Sequence, residues 1–135
     1  YIVRDGEGDT KFIKINVSSA KSKTDARIIA CSIANSPLFK TAMAGSDANW
    51  GRIVMAIGKS SSGIDHEKIS IKFGKYSILG KGKNLIKNNL KFINKYLKEK
   101  QLEISIDMGL GNSSWTISTC DFTKNYISIN ADYRS

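Results

Sequence analysis

The sequence is poor in the residues on which most site chemistries depend. His66 is the only histidine, so neither a Ser/His/Asp triad nor a multi-histidine metal site can be assembled within the chain. It falls in a polar loop and reads as a surface residue. The two cysteines, Cys31 and Cys120, lie far apart without CxxC spacing, one in a helical pattern and one in a strand pattern. Buried free thiols in a reducing, cytoplasmic setting are the expectation. No apolar run approaches the length of about 18 residues that a membrane helix needs, and no cleavable signal pattern is present, so neither a membrane span nor secretion is indicated. The single proline, Pro37, leaves the chain free of Pro-rich linkers. An initiator methionine is also missing: the chain opens on Tyr1, which gives the expectation of a processed product or a fragment of something longer.

What is present fits one globular domain. The 135 residues are 41% hydrophobic and 24% charged, enough to bury a real core. The net charge of +9 raises the question of an anionic partner. Arginine, the residue best suited to base-edge and bidentate phosphate contacts, supplies only four of the 21 basic residues. Lys, Asn and Ile are abundant together, which reads as a composition bias rather than a selected nucleic-acid surface. In KGKNLIKNNLKFINKYLKEK, Lys83, Lys87, Lys91 and Lys95 recur every four residues opposite an apolar stripe of Ile86, Leu90, Ile93 and Leu97. An amphipathic helix with a solvated lysine face accounts for that pattern. A basic binding module for an anionic partner such as nucleic acid stays as the alternative, and steeply salt-dependent binding is its signature.

Period and punctuation give an ordered α/β alternation. In TKFIKINVS, Ile13, Ile15 and Val17 alternate with polar residues, predicting a half-buried strand. Ser22 with Asp25 suits the start of a helix whose Ala26, Ile29, Ala30 and Ile33 share one face. Asn35 and Ser36 interrupt, and Pro37 fits the first turn of a second short helix. Gly45 to Asn49 reads as a turn, and WGRIVMAIGKS as a third, largely buried helix. The strands ISIKF and KYSIL follow as a hairpin about Gly74 and Lys75. After the lysine-striped helix, QLEISIDMG places Leu102, Ile104, Ile106 and Met108 on one side, Gly109 to Ser113 turns into SSWTISTCDF, and NYISINADY forms a last strand. Strands paired between helices favour a layered α/β sandwich over a doubly wound parallel sheet.

Short catalytic motifs are scarce. GKSSSG lacks the spacing and preceding strand of a phosphate loop, and the glycines of GKYSILGKGK lack the βαβ context of a dinucleotide fingerprint. The stretch RDGEGDTKF is more suggestive, because it sets a carboxylate, Glu7, between two glycines that permit close approach. Taken alone, a polar turn explains it.

Three long segments change that reading. RDGEGDTKF, DARIIACSIANSPLFKTAMAGSDANWGRIVMAIGKS and CDFTKNYISINADYRS, in this order, resemble the C-terminal part of the ornithine acetyltransferase (glutamate N-acetyltransferase) family of arginine biosynthesis. The resemblance spans nearly the whole chain and is weakest across residues 60 to 112. It implies the Ntn-like α/β fold of that family, and a precursor that cuts itself before a threonine into α and β chains. The new N-terminal threonine takes the acetyl group from N-acetylornithine and glutamate then attacks the acetyl-enzyme, a ping-pong covalent mechanism with an oxyanion hole. No metal or organic cofactor is implied, although some members also use acetyl-CoA as a co-substrate.

Carried over by position, the resemblance makes Glu7, Asn130 and Ser135 substrate-binding residues. A carboxylate suits the ammonium groups of ornithine, and an amide with a hydroxyl suits the amide and carboxylate of its acetylated form. No catalytic residue is expected in this chain. None of Thr10, Thr24 and Thr41 stands in the family's Ala-Thr-Met-Leu cleavage setting, so the nucleophile and the oxyanion groups are expected upstream, and the isolated polypeptide is expected to be inactive. The implied partners are N-acetylornithine, ornithine and glutamate, then the α chain and the rest of the β chain, as αβ pairs in a heterotetramer or larger assembly. Neither nucleic acid nor membrane is implied. Ala48 replaces a proline usual in the family's SDANWGR segment. Trp50 and Arg52 read as packing residues before residues of a ligand or subunit interface, and Asp121 and Asp132 as groups that orient their neighbours by hydrogen bonds.

Overall fold

In the computed structural model, which describes residues 10–60 and 63–121, the predicted alternation becomes strand β1, Phe12–Ala20. Ile13, Ile15 and Val17 are at most 1% exposed, whereas Phe12 and Lys14 point to the open face. β1 runs parallel to β5 (Gln101–Asp107), pairing Ile15 with Ile104. On its other side it runs antiparallel to β6 (Ser113–Cys120), pairing Ile15 with Ile117. With β2 (Ser70–Phe73), β3 (Tyr76–Gly80) and β4 (Lys83–Asn84) they form one six-stranded sheet in the order β4-β3-β2-β5-β1-β6. Among the described strand pairs only β1 and β5 are parallel. The result is a mixed sheet with helices packed on it, the layered α/β class and not the doubly wound one.

Helix α1 (Lys23–Ala34) starts where Ser22 Oγ accepts from Asp25 N at 3.0 Å, and it buries Ala26, Ile29, Ala30, Ile33 and Ala34 against β1 and β6. Helix α2 (Pro37–Ala44) places Pro37 in its first turn, capped by Ser36, and buries Phe39 and Met43. Helix α3 (Trp50–Ser60) packs on α1 and α2, but through one face only. Ile53, Ala56 and Ile57 are buried while Met55 is 53% exposed, so the expected largely buried helix is in fact amphipathic. These residues join Ile71, Phe73, Ile104 and Ile106 in a single core.

The two hairpins of the second half differ in how legible they were. Gly74, at φ +60°, opens the tight β2–β3 turn where the sequence places it. Lys81 and Gly82, both at positive φ (47° and 77°), form a second two-residue turn into β4. Lys83 therefore lies in β4 and not on the lysine-striped helix. Helix α4 runs from Ile86 to Tyr96, its first turn tied by Asn84 Oδ1 accepting from Ile86 N at 2.9 Å. Lys87, Lys91 and Lys95 are exposed as expected and Ile93 and Leu97 are buried, but Leu90, assigned to the apolar stripe, is 47% exposed. Among the described residues no helix is long and apolar enough to cross a membrane.

Candidate functional site

The three residues expected to bind substrate, Glu7, Asn130 and Ser135, lie outside the described residues, as do the strand expected in NYISINADY and Asp132. What the structure describes is the place from which both segments depart. β1 and β6 are antiparallel neighbours paired Phe12 to Cys120 at their outer end. The chain carrying Glu7 thus enters the sheet where the chain carrying Asn130 and Ser135 leaves it. Two further bonds close this base: Lys11 N donates to Asp121 Oδ1 at 2.8 Å, and Asp121 N donates to Lys11 O at 3.1 Å.

Lys11 is itself only 7% exposed. Its Nζ donates to Met43 O at 2.7 Å, Ser46 Oγ at 2.6 Å and Leu97 O at 2.6 Å. An ammonium has three protons, and three acceptors take them. Met43 and Leu97 stand at the C-terminal ends of α2 and α4, where unsatisfied carbonyls concentrate negative potential, so one cation serves two helix ends. Burial pushes the Lys11 ammonium below the ordinary lysine range, opposed by the Asp121 carboxylate. Ser46, at φ +53°, also donates from Oγ to Leu97 O at 3.1 Å.

Sequence reasoning passed over Lys11 although a signal was available. Residues 11, 13, 15 and 17 share one side of a strand, so the parity that buries Ile13, Ile15 and Val17 buries Lys11 as well. Asp121, expected to orient neighbours by hydrogen bonding, is 1% exposed and does so through Lys11 N.

Thr10 occupies the same base, one residue from Lys11. It is 1% exposed, and its Oγ1 has no hydrogen-bond partner among the described residues. An orphaned buried hydroxyl carries a desolvation cost with no return. Thr10→Val in the full-length protein is therefore expected to leave the melting temperature unchanged or raise it, by up to about 1 kcal/mol in stability. A loss of that size in thermal unfolding would show that the hydroxyl has a partner.

Beside the base, an open cleft of about 330 Å³ is lined by Phe12, Lys14, Tyr96, Gln101, Glu103 and Ser118, among others. Tyr96 Oη accepts from Glu103 N at 2.7 Å, and burial raises the phenol's pKa. On the sheet's open face Asn16 Nδ2 donates to Glu103 Oε2 at 2.6 Å, and Thr116 Oγ1 donates to Asn16 Oδ1 at 2.9 Å. These bonds order a polar face without isolating a nucleophile or a general base.

Other singled-out residues take structural places. Arg52 donates to Leu38 O at 2.8 Å, and Trp50 packs against the core, as expected. His66 is exposed in a single 3-10 turn, His66–Lys68. Thr41 Oγ1 donates to Pro37 O within α2 at 2.8 Å, and Thr24 lies in the first turn of α1. Cys31 and Cys120 are free and only half-buried, which corrects the expectation of buried thiols. Cys31 lies on α1 outside that helix's buried face, and Cys120 ends β6. Burial pushes the Cys120 thiol up, against the pull of Lys40.

The sequence and fold have close counterparts. The arginine biosynthesis bifunctional protein ArgJ of Zymomonas mobilis is 52% identical over 134 residues, which are 99% of this chain and 33% of that protein. Its namesake in Caulobacter vibrioides is 50% identical, over the same 99% of this chain and 33% of its own length. The crystal structure of the Bacillus halodurans protein of that name superposes with a TM-score of 0.86 at 39% identity, over 97% of this chain and 62% of that one. This chain spans about a third of the length of the curated relatives it matches. The profile of the ArgJ family matches residues 1–135, and the chain belongs to that family.

Proposed function

We propose that this chain is the C-terminal, substrate-binding portion of the β chain of an ornithine acetyltransferase. The complete protein moves the acetyl group of N-acetylornithine to glutamate through an acetyl-threonine in arginine biosynthesis. The observation that carries the proposal is the closed base of the β1–β6 pair: Lys11 and Asp121 bond to each other's backbone where the segments bearing Glu7 and Asn130 begin and end. Two segments distant in sequence are thereby rooted within one hydrogen bond of each other, which supports a site shared by Glu7, Asn130 and Ser135. Family membership and the names of the relatives supply the reaction class.

In this reading the chain's work is recognition. Glu7 receives an ammonium of ornithine by charge-assisted hydrogen bonds. The Asn130 amide and the Ser135 hydroxyl pair with the remaining polar groups of the substrate. The nucleophilic threonine and the oxyanion donors belong to the upstream part of the precursor, and no metal or organic cofactor takes part. Acetyl-CoA enters only as a co-substrate if the protein is bifunctional. The active form is an assembly of α and β chains in the cytoplasm.

The test is acetyl transfer from N-acetylornithine to glutamate by the full-length gene product. Self-cleavage, ping-pong kinetics and an acetylated threonine on the upstream chain are expected. A folded protein that fails to cleave itself, or that cleaves and transfers no acetyl group, would overturn the assignment. So would turnover by residues 1 to 135 alone, because it would place the nucleophile here.

A further inference from the structure

The buried lysine at the root of the Glu7 segment is not accounted for by packing. Lys11 Nζ is taken out of water and, among the described residues, compensated by three acceptors drawn from α2, the residue after its cap, and the end of α4, with the Asp121 carboxylate adding to them. Replacing every member of a buried ionic cluster by well-packed apolar residues is often neutral or even stabilising, but removing the lysine alone leaves the carbonyls of Met43 and Leu97 without its protons, which costs stability. The lysine thus contributes stability as well as geometry, and the geometry is what an apolar residue cannot reproduce. Three directed bonds from one ammonium fix the ends of two helices relative to β1, and an apolar side chain has no directed bond to offer.

That fixing acts close to the substrate segment. Glu7 lies four residues before Lys11, so their Cα atoms are separated by at most about 15 Å. The backbone of Lys11 is in turn locked to Asp121, from which the segment bearing Asn130 continues. We propose that Lys11 is a positioning residue for substrate binding: by clamping the C-terminal ends of α2 and α4 onto the base of the β1–β6 pair, it fixes residues 11 and 121, to which the sequences bearing Glu7 and Asn130 are joined. This rests on the substrate-binding reading above. Lys11 touches no substrate. It acts through the base, and Ser46, which accepts from Nζ and donates to Leu97 O, is its partner in the clamp.

The experiment uses the full-length, self-cleaved protein. Lys11→Met is expected to raise the KM for N-acetylornithine about tenfold or more, with kcat changed less than about threefold, because an interaction acting through substrate position and not in the chemical step falls on binding. Ser46→Ala, which removes one acceptor, is expected to raise KM a few-fold. Ile106→Ala is the comparison: it opens a cavity at the far end of the same sheet, where Ile106 pairs with Val17, and is expected to lower the melting temperature without moving KM. A wild-type KM in Lys11→Met overturns the proposal, as does an equal KM rise in Ile106→Ala. If Lys11→Met does not fold, Ser46→Ala decides, and an unchanged KM there overturns it. A wild-type protein that transfers no acetyl group overturns the parent reading, and is distinguishable because it appears before any variant is made.

Discussion

Glu7→Ala in the full-length, self-cleaved protein is expected to lower kcat/KM for N-acetylornithine about a hundredfold, equivalent to about 2.7 kcal/mol of transition-state binding. A charge-assisted hydrogen bond in a site is worth about 1.5–3 kcal/mol, and its loss also leaves a substrate ammonium without its counter-charge. Glu7→Gln keeps the shape and one acceptor but loses the charge, so it should fall between alanine and wild type. The melting temperature is expected to stay close to wild type, since the contact proposed for Glu7 is made to substrate. Steady-state kinetics alongside thermal unfolding checks both halves. Wild-type kcat/KM in Glu7→Ala would return the residue to a polar turn.

Gly111→Ala is expected to be the most damaging small substitution in the described fold, costing about 3 kcal/mol. A Cβ at Gly111 would stand 2.5 Å from Ala20 O and 3.1 Å from both Ala20 C and Lys21 Cα. All three are backbone atoms, which cannot rotate away as a side-chain tip can. The contact exists because the turn after β5 lies against the end of β1, with Leu110 N and Gly111 N both donating to Ser19 O, at 2.8 and 2.9 Å. Ser19 sits at φ +57° where the β1–β6 register shifts between Val17 and Ala20, so the close approach is built into an irregularity of the central strand. Gly58, whose added Cβ would meet nothing within 4 Å, is the control: Gly58→Ala should be neutral or stabilising because it lies within α3. Thermal or urea unfolding of the pair measures the difference, and equal stabilities would contradict the packing described at Gly111.

Strand alternation and helix punctuation were legible because they are local. Ile13, Ile15 and Val17 announced β1, and Ser22 with Asp25 and then Pro37 announced the starts of α1 and α2. The Lys81–Gly82 turn was not legible. The four-residue lysine spacing begins at Lys83, directly after the turn, and so draws the two residues of β4 into the helical pattern, and one glycine before an apolar period is compatible with a helix start. Leu90 shows a different limit: periodicity names the face of a helix on which a residue lies, but not whether anything covers it there.

The site was legible unevenly for a similar reason. Glu7, Asn130 and Ser135 came only from long-range resemblance, since each by itself is an ordinary turn or terminal residue. Lys11 carried a parity signal, yet its three acceptors come from positions 32, 35 and 86 residues away in sequence. No local window contains them. A lysine is placed outside by default because its ammonium needs such partners, and only the tertiary fold supplies three at once.

In the proposed function, Glu7 and the C-terminal segment meet on the substrate. The most direct test is the crystal structure of the full-length, self-cleaved protein with ornithine bound. An ornithine ammonium within hydrogen-bond distance of the Glu7 carboxylate, about 2.7–3.2 Å, with Asn130 and Ser135 contacting the same molecule, is the predicted result. Ornithine bound where neither Glu7 nor Asn130 touches it would contradict the account.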